Sequence, residues 1–77
     1  MTPAVLLDCR GQRCPLPVIA LARHITEVDV GDVIAVAADD PAARSDVPAW
    51  CRMRGHEYLG EQSEPDGVPA YEVRRLI

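Results

Sequence analysis

Val33, Ile34, Ala35, Val36, Ala37 and Ala38 form six consecutive apolar residues with no glycine, proline or charge among them. A run this short and this uniformly apolar is expected of a strand buried on both faces, at the interior of a sheet. Gly31 and Asp32 precede it and Asp39, Asp40 and Pro41 follow it, so the strand is punctuated at both ends. In 77 residues there is room for one such centre, and the chain reads as a single domain over residues 1–77. Whatever lies on either side must pack onto that strand.

Upstream, residues 4–8 are a short apolar stretch closed by Asp8, which suits a strand leading into a loop at Arg10 and Gly11. From Pro15, the apolar positions Val18, Leu21, Ala22, Ile25 and Val28 recur at helical spacing, predicting a helix over 15–28. Strand, helix and strand in that order imply a right-handed parallel crossover. Downstream, Asp39, Asp40 and Pro41 are a helix-start signal. Pro48 suggests that the first turn is separate and that the helix restarts at Ser45 and Asp46, running through Ala49, Trp50, Cys51 and Met53 to a stop at Gly55. Residues 56–62 and 70–76 read as strands joined by Glu64, Pro65, Asp66 and Gly67 in turn chemistry, which makes a hairpin. The predicted order is βαβαββ: an α/β (α+β) two-layer sandwich, with a mixed four-stranded sheet and two helices on one face.

Composition narrows the chemistry. The formal net charge is −4 and all eight basic residues are arginines, scattered along the chain. Nucleic-acid binders normally carry a basic stripe, so direct nucleic-acid binding is not expected. The absence of lysine excludes lysine Schiff-base chemistry and a phosphate-loop lysine. Neither a signal peptide nor a membrane span is legible, so the expected location is cytoplasmic, without membrane attachment. In that compartment three cysteines at irregular spacing point to a reactive thiol or a metal site rather than to a disulfide framework.

Cys14 is the leading candidate. Read as the N-cap of the first helix, it places Pro15 and Pro17 where a helix has no use for their missing N–H groups. Pro15 also biases Cys14 toward the extended conformation that a cap residue adopts. The helix N-terminus and the nearby Arg10 and Arg13 favour the thiolate, with a moderate lowering of its pKa expected. Leu16, between the prolines, has a double reading as a singly exposed leucine or as a docking contact beside the thiol.

The stretches Leu7-Asp8-Cys9-Arg10-Gly11-Gln12-Arg13-Cys14-Pro15-Leu16-Pro17-Val18, 38–51 and Gly55-His56-Glu57 resemble the TusA-type, SirA-like sulfur carriers over nearly the whole chain. The resemblance implies that Cys14 carries sulfur as a persulfide, taken from a cysteine desulfurase or rhodanese-like donor and passed to an acceptor sulfurtransferase. It implies a carrier rather than a turnover enzyme, with the covalent persulfide as the functional modification and no separate cofactor. The destinations it leaves open are tRNA thiolation, cofactor sulfuration and sulfur oxidation, with persulfide or thiosulfonate loading. Leu16 stands where the best-known member of the family has an acidic residue.

Other readings compete. Cys9 could approach Cys14 and form a reversible disulfide, making the chain a small thiol-redox or interaction module; the simpler reading is a small residue at a strand end. Cys51 reads as core. A metal site is not expected, because Cys9 and Cys14 lack a second tight pair of ligands. His24 reads as a helix-surface residue, His56 as a hydrogen-bonding residue at a strand entry, and Asp39 and Asp40 as caps. The chain is expected to act as a monomer.

Overall fold

The computed structural model describes residues 3–13 and 15–77. In chain order the elements are β1 (Val5–Asp8), α1 (Leu16–His24), β2 (Val33–Ala37), α2 (Ala43–Arg54), β3 (Glu57–Ser63) and β4 (Pro69–Arg74). The sheet order is β1-β2-β4-β3. β1 runs parallel to β2, with Leu7 opposite Val36, and the other two pairings are antiparallel. β2 and β4 are the interior strands, and all five residues of β2 are buried.

Alternation along the strands sends Ile34, Val36, Tyr71 and Val73 to one face, where they meet Leu21 and Ile25 from the first helical segment and Val28 just after it. Ala43, Val47, Trp50 and Cys51 of α2 join the same cluster, so both helices cover one face as expected. On the opposite face Leu6, Ala35 and Glu72 stand in register across three strands. The layers and strand order are those of the predicted sandwich.

Three local expectations are corrected. First, α1 is shorter than 15–28, because Ile25–Glu27 tighten into a 3-10 turn and Val28 is extended. The apolar stripe survives, with Leu21, Ile25 and Val28 all buried. A spacing of three residues fits both a 3-10 turn and an α-helix, and tightening of the last turn is common. Second, the residue capping α1 is Pro15, which places Leu16 first and Pro17 second in the helix. Third, α2 is continuous through Pro48 and begins at Ala43. Its entry is made by successive i to i+3 bonds, from Ala43 N–H to the Asp40 carbonyl and from Arg44 N–H to the Pro41 carbonyl.

Gly55 ends α2 as expected, in the left-handed region at φ 80°, with its N–H donating to the Cys51 carbonyl at 2.9 Å. The hairpin forms with Gly67 at its turn, and a bulge between Tyr58 and Gly60 shifts the register of β3 against β4.

Candidate functional site

The site is built where β1 ends and α1 begins. Cys9 N–H donates to the Ala37 carbonyl at 2.8 Å, extending the ladder one residue beyond β1. The Cys9 carbonyl then accepts the Gln12 N–H at 3.2 Å. Gly11 takes φ 78°, and its N–H points at both oxygens of Asp39, at 3.1 and 3.0 Å. Farther along, Leu16 N–H donates to the Arg13 carbonyl and Ile19 N–H to the Pro15 carbonyl, each at 2.9 Å. Both neighbours of position 14 are therefore tied into the helix start. Cys14 itself lies outside the described residues.

The two prolines do different work. Pro17 is fully buried and packs its ring inward, whereas Pro15 is exposed at the cap. Neither deprives α1 of a bond, since the first helical N–H groups have no intrahelical partner.

Arg10, expected to lend positive charge beside the thiol, is instead committed to two carboxylates. Its Nη1 donates to Asp8 Oδ1 at 3.0 Å and its Nε to Asp66 Oδ2 at 2.7 Å, with Nη2 at 3.4 Å from Asp66 Oδ1. The backbone N–H of Arg10 also donates to Asp8 Oδ1. The Asp8 carboxyl is held below its usual range by the backbone N–H and then the guanidinium of Arg10. For Asp66 the Arg10 guanidinium leads and the Val68 N–H follows. Arg13 is exposed.

Leu16 and Ile19 are 48 % and 42 % exposed, and with Gln12, Ala20, Arg23 and His24 they line a shallow depression of about 260 Å³. On the other flank of α1, Pro15, Val18, Asp46, Ala49, Trp50 and Met53 border a more apolar groove of about 230 Å³. The helix start thus projects between two concave surfaces, with Leu16 on one and Pro15 on the other.

The remaining candidates fall into the fabric of the protein. Cys9 is buried, and its thiol is pushed up by burial and then by the Asp8 charge. Cys51 is buried in α2, which pushes its thiol up to about 11. His24 pairs with Glu27 on the surface of the first helical segment. His56 stacks on Trp50 at 5.4 Å between ring centroids and accepts the Leu76 N–H on Nδ1, the strand-entry role expected of it. Burial, then the charges of Arg75 and Arg54, lowers its pKa. Asp40 accepts the Ala42 N–H at the entry to α2, whereas Asp39, read as a cap, serves the loop before α1. Among the described residues no three His, Cys, Asp or Glu side chains converge to hold a metal ion. None of the described helices is long and apolar enough to cross a membrane.

Residues 5–75 match the family described as Sulfurtransferase TusA. The chain belongs to the TusA family. A relative named "Sulfur carrier protein TusA" from Pseudomonas entomophila (strain L48) is 44 % identical to this TusA-family chain over 69 residues, covering 90 % of it and 85 % of the relative. A second relative of that name, from Pseudomonas putida (strain F1), is 39 % identical over 74 residues, covering 96 % and 91 %. In fold, the chain is similar to the crystal structure of a SirA-like protein from Desulfitobacterium hafniense, with a TM-score of 0.78 at 23 % identity over 95 % of this chain and 99 % of that one. This likeness carries the sandwich architecture alone.

Two residues of the site escaped the sequence reading. Asp39 and Asp66 both carry ready local explanations, as a cap and as a turn residue. Asp66 is 56 positions from its partner Arg10, a separation at which no sequence pattern links them.

Proposed function

We propose that the protein is a sulfur carrier in which Cys14 accepts sulfane sulfur from a donor protein and delivers it to an acceptor sulfurtransferase. The Cys14 thiolate attacks the outer sulfur of a persulfide on a cysteine desulfurase or rhodanese-like donor. The donor's S–S bond breaks, its cysteine leaves as a thiolate, and a persulfide forms on Cys14. An acceptor thiolate then attacks that outer sulfur and regenerates the Cys14 thiolate. Each step exchanges one thiolate for another, so no outside oxidant or reductant is consumed.

The observation that carries this reading is the family match over residues 5–75, which includes the Cys14-Pro15-Leu16-Pro17 element. Supporting it, Arg13 and Pro15 on either side of position 14 are hydrogen-bonded into the start of α1. Exposed Leu16 and Ile19 next to it offer apolar contact to a partner that brings or removes sulfur. The buried Cys9, with its raised pKa, is a poor partner for a reversible disulfide, which favours the carrier over a redox switch.

Incubation with a cysteine desulfurase and cysteine should add the mass of one sulfur atom to the chain. Cys14→Ser should abolish the addition. A wild-type chain that stays unmodified with desulfurase and rhodanese-like donors alike would remove the proposal. Onward transfer to a tRNA-thiolating, cofactor-sulfurating or sulfur-oxidising acceptor then identifies the destination.

A further inference from the structure

Asp8 stands opposite Ala37 and Ala37 opposite Ala70, so the end of β1, the segment after β2 and the turn before β4 all meet at one end of the sheet. The loop leading to Cys14 crosses that end, and each of the three segments supplies it with a carboxylate. Asp8 and Asp66 receive the Arg10 guanidinium, and Asp39 receives the Gly11 N–H. Asp66 is itself held by the Val68 N–H at 3.1 Å, so the fork is anchored in the hairpin turn rather than on a free side chain.

We infer that Arg10 and Asp66 are positioning residues for sulfur transfer: their forked ion pair straps the loop that carries Cys14 to the β3–β4 turn and so holds the sulfur in one orientation toward its protein partners. This rests on the sulfur-carrier reading above and assigns Arg10 a part different from a cation beside the thiolate. Two carboxylates already neutralise the guanidinium, and the three groups together carry one net negative charge. What the arrangement supplies is geometric: two donors aimed at two oxygens of one carboxylate define a plane, which a lysine's single ammonium does not. Asp39 completes the strap by fixing Gly11 in its left-handed conformation, so the loop is held on both sides of its turn. Protein-to-protein sulfur transfer requires two sulfurs in line within a docked complex, a step sensitive to small misplacement. A small alkylating reagent makes no such demand.

A double-mutant cycle separates the two roles. Arg10→Gln and Asp66→Asn should each lower kcat/KM for sulfur transfer from a persulfidated donor by about two- to fivefold, the range of a partly exposed ion pair. The double variant should be no slower than the slower single, because both remove one interaction. Arg10→Lys should resemble Arg10→Gln, since it keeps charge and loses the fork. The pH profile of Cys14 alkylation should be the same in wild type and all four variants, and amide exchange at Gly11 and Gln12 should quicken in each variant.

The inference is overturned if Asp66→Asn speeds transfer and shifts the alkylation profile to lower pH, for then a released Arg10 acts through charge. It is equally overturned if transfer is unchanged in both single variants, or if their effects multiply in the double. A wild-type chain that takes no sulfur from any donor removes the carrier reading, and the transfer role with it. Amide exchange still decides the strap in that event, so the two failures are distinguishable.

Discussion

Replacing Cys9 separates packing from chemistry at the second thiol nearest the site. Cys9 is 3 % exposed, its backbone groups are used by Ala37 and Gln12, and its side chain belongs to the core cluster, so replacing that side chain tests packing. Cys9→Ala removes one buried heavy atom: roughly 0.8 kcal/mol of transfer energy plus a smaller cavity term, or about 1–1.5 kcal/mol together. Cys9→Ser keeps the volume but buries a hydroxyl, which costs about 1–3 kcal/mol when unpaired. With a urea slope near 1 kcal/mol/M for a domain this small, midpoints should fall by about 1 M for alanine and by up to about 3 M for serine. Buried Trp50 in α2 reports the transition by fluorescence. Both variants, assayed below their midpoints, should still take up one sulfur. A Cys9→Ala protein that is folded yet cannot be loaded would refute this reasoning and make Cys9 a working thiol.

Three further expectations follow from the same features. Native protein exposed to a neutral alkylating reagent should lose one thiol quickly and two slowly, because burial raises the pKa of both Cys9 and Cys51; three fast thiols would contradict the packing described for them. His56 has a lowered pKa in the fold, so the unfolded chain binds its proton first as pH falls. Its stabilising contribution is complete above the unfolded value of about 6.5 and is lost as pH drops through the folded one; the melting temperature of His56→Gln should therefore change less between about pH 7 and 5 than that of wild type. Leu16→Asp, at a position 48 % exposed, should leave the urea midpoint nearly unchanged while slowing transfer from the donor about tenfold, and unchanged transfer would remove Leu16 from the docking surface.

The parts of the fold that were legible are those in which one residue type has one physical use. The run ending at Ala38 could only be interior, Gly55 could only end a helix in the left-handed region, and the turn at Asp66 and Gly67 could only join two strands. The end of α1 was not legible, because Ile25 and Val28 keep their burial in a 3-10 turn as well as in a helix. Pro48 misled because its cost, a lost bond to the carbonyl four residues back and a ring clash there, is tolerated in a helix whose Val47 and Trp50 are buried in the core. At the site, the Cys14-Pro15-Leu16-Pro17 element was readable because it is contiguous. The strap through Arg10, Asp39 and Asp66 was not, because it is assembled only when three strand ends meet.

The most direct test of the account is to load the protein with a persulfide donor, block free thiols, digest it, and locate the added sulfur by peptide mass. One added sulfur is predicted on the peptide containing Cys14 and none on those containing Cys9 or Cys51. Sulfur on either of those two, or a loaded protein in which Cys9 and Cys14 are joined as a disulfide, would contradict it.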